Sequence, residues 1–164
     1  MSERPAPAPG CVPTMLDRRV IEAETLFKVC REAGRRFGEP AALDLLAATV
    51  ETDAREAGRR FAAEAPAGPS LAHFATVLDR WRAGGALTVE DVVLTDDQLS
   101  FTVVRCAYVE AYPAMGLPDH LAPLLSCRRD AAFVQGYDSR LTMERPEALG
   151  EGGAKCPFLF RWRD

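Results

Sequence analysis

The chain has 164 residues, of which 48% are hydrophobic and 27% are charged, and its formal net charge is −4. These values are ordinary for a globular protein, and this length can bury its own core as one domain. Because the basic residues are scattered, a nucleic-acid-binding face is not expected. No apolar run approaches the roughly 20 residues that span a bilayer, and no signal-peptide pattern opens the chain, so we expect a cytoplasmic protein without membrane contact.

The residue pattern of the first half of the chain predicts helices. Four prolines in residues 2–13 predict a disordered tail, 1–13, and we expect residues 14–164 to form a single α+β domain. Thr14 is typical of a helix N-cap, and the following helix should end at Gly34 or soon after. Pro40 suits the first turn of a second helix, which should continue to about residue 65.

The middle of the chain changes from a helical to an alternating pattern. Ser70 predicts the N-cap of a third helix, which two glycines at 84 and 85 should end. Residues 86–94 and 98–105 are rich in alternating apolar residues and flank a Thr-Asp-Asp turn, which predicts a β-hairpin.

The remaining elements complete an α+β pattern. Helical runs are expected over residues 107–115, from Asp119 through Leu125, and then as far as Gly136, and Pro113 should kink the first run or end it early. Two last strands are expected over 139–145 and 156–163. The predicted fold is α+β, with an antiparallel sheet of about four strands, helices packed mainly on one face, and a helical N-terminal half.

The candidate chemistry depends on cysteines. The chain has five, an odd number with irregular spacing, and we expect all of them to be reduced. Cys106, Cys127 and Cys156 follow or begin predicted elements, where sites often form. Because no close cysteine or histidine pair exists, no metal or cofactor is expected, although Cys127 and Asp130 could form half of a zinc site.

A cysteine nucleophile needs a lowered thiol pKa. Cys106 begins a predicted helix and follows Arg105, and both features favour the thiolate. A small buried apolar residue is the more common role of any single cysteine. Tyr108 and Glu110 point the same way if the strand continues and opposite ways if a helix has begun, and the pattern leaves this open.

Three cysteine-centred blocks in the last 65 or so residues resemble the L-2-amino-thiazoline-4-carboxylic acid hydrolase family. The blocks read R-C-x-Y-x-E-A-Y-x-x-x-G-L, C-x-x-D-x-x-F-x-x-G and E-R-x-x-x-L-x-E-G-x-x-x-C-x-F. The matching positions are Arg105, Cys106, Tyr108, Glu110, Gly116, Cys127, Asp130, Phe133, Gly136, Glu144, Arg145, Leu149, Gly152, Cys156 and Phe158. Pro146 and Pro157 depart from the family pattern.

The resemblance implies a small bacterial α+β protein that hydrolyses the C–N or C–S framework of a cyclic amidine and so turns 2-aminothiazoline-4-carboxylate into N-carbamoylcysteine. We therefore expect hydrolysis of a non-peptide C–N bond in a small cyclic amidine or related heterocycle, with a small-molecule substrate as the partner. The last third of the chain also resembles ligand-binding domains of the 4-vinyl reductase type. This leaves a non-catalytic module for a small ligand or metal as the alternative, and the oligomeric state is left open.

The expected roles follow from the chemistry of an amidine. Cys106 is the expected nucleophile, with Cys127 and Cys156 shaping the pocket or replacing it. Glu110 or Asp130 would hold the amidinium or activate water, and direct attack by water is the competing route. The expected substrate-binding residues are Tyr108, Glu144 and Arg145, and Arg145 would pair with a substrate carboxylate.

Overall fold

A computed structural model of the protein describes residues 12–163. Residues 1–11 of the expected tail, with Cys11, lie outside the described residues. The helices are α1 (Met15–Phe37), α2 (Glu39–Ala63), α3 (Leu71–Ala75), α4 (Val77–Arg82), α5 (Ala107–Ala114) and α6 (Arg128–Tyr137). The strands are β1 (Leu87–Leu94), β2 (Gln98–Cys106), β3 (Leu141–Glu144) and β4 (Cys156–Trp162). None of the helices described here is long and apolar enough to cross a membrane.

Local signals set most helix ends. The side chain of Thr14 accepts a hydrogen bond from the Asp17 N–H at 3.1 Å, and the Asp17 carboxylate accepts one from the Thr14 N–H at 3.0 Å. This capping box confirms the predicted start of α1. The helix ends at Gly38, whose φ of 89° is accessible to glycine at little cost. Pro40 lies in the first turn of α2, as predicted.

Two predicted helices differ from the structure. The helix expected after Ser70 is divided at Thr76, whose hydroxyl donates to the His73 carbonyl at 2.7 Å. The run expected from Asp119 through Leu125 instead passes into a π-helical turn, Pro123–Cys127, and the further run expected as far as Gly136 is α6. Proline has no N–H for the regular helical bond, and a wider turn accommodates that loss.

The sheet has four antiparallel strands in the order β1-β2-β4-β3. The predicted hairpin is confirmed as the β1–β2 pair, and β4 inserts between β2 and β3. In the register of the central pair, Phe101 lies opposite Phe158 and Val103 lies opposite Cys156. The chain is thus an α+β protein with a helical N-terminal half, as the pattern predicts.

Helices cover one face of the sheet. The residues of β2 and β4 that point to this face are buried, and the alternate residues are more exposed. They pack with α2, α3 and α6 in one hydrophobic cluster, while α1, α5 and the π-helical turn contribute to a second. The candidate site lies between the sheet and these helices.

Glycines bring α2 and α6 into backbone contact. A Cβ atom on Gly58 would overlap the carbonyl oxygen of Phe133 and lie 2.8 Å from the Tyr137 nitrogen. A Cβ on Gly136 would lie 2.7 Å from the carbonyl carbon of Arg55. Gly58 lowers the helix propensity of α2, but its missing side chain also lets α6 approach α2 closely. This contact positions α6, whose first residues face the site.

Candidate functional site

A cavity of about 120 Å³ lies between the sheet and the helices. Its size is comparable to the apolar protein cavity of about 150 Å³ that takes up a benzene ring. Its walls come from every layer of the fold. The lining residues are Met15, Arg19, Ala54, Ala57, Trp81, Leu87, Phe101, Val103, Cys106, Tyr108, Val109, Ser126, Cys127, Arg129, Asp130, Phe133, Arg145, Cys156 and Phe158.

Three cysteines that are distant in sequence line this one cavity. Cys106 is the last residue of β2 and the N-cap of α5, so the strand runs one residue beyond its predicted end at Arg105. Cys127 ends the π-helical turn, and Cys156 begins β4. The Cys156 sulfur accepts a hydrogen bond from the Leu149 N–H at 3.2 Å. These three, with Cys30, are free thiols.

Burial keeps the cavity thiols protonated. It raises the pKa of Cys106 to about 11, although the Val109 and Tyr108 N–H groups at the start of α5 act in the opposite direction. Burial, reinforced by the Asp130 carboxylate, raises the pKa of Cys127 to about 12. Burial also raises the pKa of Cys156. The helix N-terminus therefore lowers the Cys106 pKa by less than desolvation raises it, and the net change is upward.

Arg105 does not assist Cys106 either. Its guanidinium donates to the Glu110 carboxylate at 2.5 Å, and both side chains are exposed. Since a helix begins at Ala107, Glu110 points away from Tyr108, which lines the cavity. Exposed pairs of this kind contribute little to stability.

Asp130 and Arg145 form the central ion pair of the site. The Arg145 guanidinium donates to the Asp130 carboxylate at 2.5 Å and to the Cys127 carbonyl at 3.3 Å. It also lies over the Phe158 ring, 5.4 Å from the centroid. Burial raises the pKa of Asp130 from its ordinary 3.8 to about 6, against the opposing effect of Arg145 and Arg129. A carboxyl group with this pKa can exchange a proton near neutral pH.

Aromatic rings form most of the apolar wall. Phe101 and Phe158 lie side by side on the sheet, with centroids 5.1 Å apart, and Trp81 meets Phe133 edge-on at 5.7 Å on the helical side. The Tyr108 hydroxyl donates to the Trp81 carbonyl at 3.0 Å, and this bond ties α5 to α4. Burial raises the pKa of the Tyr108 phenol well above its usual range. The wall suits a flat apolar ring.

Most of the predicted site residues share the cavity, and two do not. Cys106, Tyr108, Cys127, Asp130, Arg145 and Cys156 all line it. Glu110 is paired on the surface with Arg105. Glu144 is exposed on the open side of the sheet and pairs with Arg161 across the β3–β4 ladder.

Sequence reasoning missed two arginines that line the cavity, Arg19 and Arg129. Asp53 links them, accepting from Arg19 at 3.4 Å and also from Arg129. Arg19 also pairs with Glu22. The nearest signal in the sequence is a position on the inner side of an amphipathic helix, which is also where many structural arginines lie.

The described residues gather no group of three or more histidine, cysteine, aspartate or glutamate side chains suited to a metal ion. The histidine in α3 has a structural environment instead. The Nδ1 atom of His73 lies 2.9 Å from the Tyr137 hydroxyl, and its ring stacks on Phe61 with centroids 4.5 Å apart.

The profile of the L-2-amino-thiazoline-4-carboxylic acid hydrolase family matches residues 18–160. The chain belongs to this family. The resemblance noted in the last 65 or so residues is thereby confirmed, and it extends through the N-terminal helices that supply Arg19 and one wall of the cavity. The family description supports assignment to a hydrolase-like family. No curated protein matches the sequence.

Two solved structures that resemble this chain come from a sensory domain and from a trafficking complex subunit. The phenol-responsive sensory domain of the transcription activator PoxR, with phenol, gives a TM-score of 0.51 at 13% identity, covering 84% of this chain and 73% of that chain. A trafficking protein particle complex subunit 3 from Naegleria fowleri, covalently bound to palmitic acid, gives 0.49 at 12% identity, covering 90% and 96%. At such identities the first likeness concerns the fold alone.

Proposed function

We propose that this family member is a hydrolase that opens a small cyclic amidine of the 2-aminothiazoline-4-carboxylate type by adding water at the amidine carbon and breaking a ring bond of that carbon. The observation that carries the proposal is the placement of Asp130 beside three cysteines on one ring-sized, largely apolar cavity. The family match supports the reaction class.

Asp130 is suited to both steps that such a reaction requires. A protonated amidine is a flat cation with an electrophilic carbon, and a carboxylate can hold it or take a proton from an attacking water. The water oxygen bonds to the amidine carbon, and in 2-aminothiazoline-4-carboxylate the bond from that carbon to the ring sulfur then breaks, because the carbon stays bonded to both nitrogens in N-carbamoylcysteine. The proton taken from water passes through Asp130 to the departing sulfur. A pKa of about 6 lets one group accept and return this proton.

Arg145 supports Asp130 in this scheme. Its guanidinium is already engaged by the Asp130 carboxylate and the Cys127 carbonyl, so direct binding of a substrate carboxylate would require it to leave both. Arginine can make two parallel hydrogen bonds to a carboxylate, and Arg145 is itself held by two acceptors, so it can orient the Asp130 carboxylate for the reaction. We therefore propose Arg145 as a positioning residue.

Direct attack by water is favoured over attack by Cys106. The raised pKa of the Cys106 thiol leaves almost no thiolate at neutral pH. A covalent route would first have to transfer that proton, and Asp130 would be its acceptor. In the direct route the three cysteines shape the cavity and provide no bond to the substrate.

Paired substitutions separate these routes. We expect Asp130→Asn to reduce turnover of 2-aminothiazoline-4-carboxylate by about 100-fold or more, which is roughly 3 kcal/mol of barrier. Cys106→Ser should keep near-normal turnover, and Glu110→Gln, the matched change of an acid outside the cavity, should be neutral. Product release followed by mass spectrometry measures all three. A 100-fold loss in Cys106→Ser with normal folding would instead establish the covalent route.

Thiol labelling provides an independent check. We expect Cys106 and Cys127 in the native protein to react with iodoacetamide at pH 8 at least about 100-fold more slowly than in denaturant, because their pKa values of about 11 and 12 leave little thiolate. Site-resolved mass spectrometry of a labelling time course measures this. Rapid native labelling of Cys106 would contradict the direct route.

A ligand-binding module without catalysis is the second candidate. The observation that favours it is the cavity itself, whose thiols are neutral and whose walls are aromatic, within a fold shared with a domain solved with phenol. Incubation with the cyclic amidine distinguishes the two functions. Recovery of bound, unchanged ligand from a folded protein would favour the binding module.

A further inference from the structure

Two largely buried arginines on the cavity, Arg19 and Arg129, have no part in the hydrolytic step described above. Arg19 comes from α1 and Arg129 from the first turn of α6, and their side chains are only 14% and 13% exposed. They lie close enough for each guanidinium to act on the other. Burial lowers the pKa of Arg19, and the positive charge of Arg129 lowers it further. Two neighbouring guanidiniums at a cavity wall can bind an anion between them.

The acidic partners of these arginines lie outside the cavity wall. Asp53 is 47% exposed and Glu22 is 42% exposed, and neither lines the cavity. The acids therefore hold the two guanidiniums from the surface side. Each guanidinium carries five N–H donors. Among the described residues, Asp53 is the one hydrogen-bond acceptor of the Arg129 side chain, which leaves donors for a ligand.

The charge of the cavity wall points in the same direction. Its ionised lining side chains are three arginines and one aspartate, a difference of two positive charges. Arg145 and Asp130 offset each other. The remaining positive charge of the wall is that of Arg19 and Arg129, and their two acidic partners offset it from outside the wall. The pair therefore presents guanidinium N–H donors to the cavity, and arginine forks match a carboxylate in shape as well as charge.

We propose that Arg19 and Arg129 form a carboxylate-binding end of the cavity and so restrict its ligands to small ring compounds that carry an acid group. The inference rests on the proposed function to the extent that this cavity is the substrate site. The cavity then has an anion-binding end at Arg19 and Arg129 and a reaction end at Asp130. Arg19 and Arg129 become specificity-determining residues.

Equilibrium binding of two matched probes tests the proposal. The probes are 2-aminothiazole-4-carboxylate and its neutral carboxamide, which differ only in the acid group and contain an aromatic ring rather than the thiazoline. By calorimetry the wild-type protein should bind the acid at least about tenfold more tightly than the amide. Arg19→Gln and Arg129→Gln should each reduce this ratio about tenfold, mainly by weakening acid binding.

Neighbouring exposed arginines supply the controls. Arg18→Gln and Arg128→Gln remove the same charge one residue away from each member of the pair, and both should keep the wild-type ratio. If a glutamine variant fails to fold, Arg19→Lys or Arg129→Lys keeps the charge without the fork and should give an intermediate ratio. Because the ratio is taken within each variant, a change in folded fraction cancels.

The outcomes separate this inference from the proposed function. Three results would each overturn the inference. They are equal binding of acid and amide by the wild-type protein, an unchanged ratio of the two affinities in the glutamine variants, and no binding of the acid. Turnover of 2-aminothiazoline-4-carboxylate and its carboxamide with equal kcat/KM would support the hydrolase and reject the anion end. Preference for the acid without any turnover would support the anion end and reject the hydrolase.

Discussion

The Asp130 carboxylate is ion-paired and also largely shielded from water, and the shielding has the larger effect on its pKa. Arg145 contacts it at 2.5 Å, yet its pKa rises to about 6 because burial outweighs the attraction of the guanidinium. About a quarter of its side-chain surface stays accessible. The same carboxylate can therefore meet a ligand and change its protonation state near neutral pH.

This raised pKa gives a pH-dependent stability of defined sign. The unfolded chain should release the Asp130 proton near pH 4 and the folded chain near pH 6, so the contribution to stability is fully present below pH 4 and is lost as the pH rises through 6. Relative to Asp130→Asn, the wild-type protein should lose up to about 3 kcal/mol of unfolding free energy between pH 4 and 7. Urea unfolding of both proteins across this range measures it, and a constant difference would contradict it.

At the scale of elements, close backbone contacts place the site residues. Gly58 and Gly136 let α2 and α6 touch, and Gly150 lies against the Cys127 sulfur, where a Cβ would be 2.6 Å away. In each case a missing side chain sets the position of an element that lines the cavity. The effect is on packing, since none of these three glycines requires a positive φ.

Alanine at the α2–α6 crossing should destabilise the fold. Because the clash in Gly58→Ala is with the backbone, no side chain can move to relieve it, and we expect a loss of about 3 kcal/mol or more. Gly34→Ala on α1 is the matched control. Its Cβ would meet the Ala42 Cβ at an ordinary 3.8 Å, so helix propensity should stabilise this variant by up to about 1 kcal/mol. Chemical denaturation compares them, and equal effects would refute the packing role.

Because Gly150 contacts Cys127, substitutions at these two positions should have non-additive effects on the unfolding free energy. Gly150→Ala alone places a methyl group against the sulfur and should cost about 1–3 kcal/mol. Cys127→Ala removes that sulfur, so the double variant should be more stable than the sum of the single changes implies. Pairing Gly150→Ala with Cys30→Ala, on α1, should be additive. A double-mutant cycle by urea unfolding measures both pairs, and additivity in the first would show that the two residues do not share this space.

At the scale of the whole molecule, the cavity lies where all layers of the fold meet. Its walls include residues from α1, α2, α4, α6 and the two central strands. These segments are separate in the unfolded chain, so a ligand that contacts them together binds only the folded state. Binding therefore adds to the stability of the entire fold by mass action.

A cavity ligand should raise the unfolding free energy by about 2.7 kcal/mol when its concentration is 100 times its Kd. The probe is 2-aminothiazole-4-carboxylate, and thermal unfolding at increasing concentrations measures the response. Ala57→Leu on α2 adds bulk to the cavity wall and should abolish the stabilisation by the probe. Ala48→Leu makes the same change on the exposed side of α2 and should keep it. An equal response in both variants would place the ligand elsewhere.

Local patterns in the sequence were enough to predict several elements. Thr14 and Pro40 start helices because capping and proline geometry act within one turn. The hairpin follows from alternation around a polar turn, and the three cysteine-centred blocks identify the family. The same patterns place Cys106 at the end of a strand, because the change from an alternating to a helical period lies there.

Tertiary structure alone decided the electrostatics of the site. Arg105 stands next to Cys106 in sequence but pairs on the surface with Glu110, while Arg19 reaches the cavity from the far end of the chain. The pKa of Cys106 rises because distant segments exclude water from it, and no local pattern records that exclusion. Desolvation and charge act through space, so the chemistry of these residues depends on neighbours that only folding brings together.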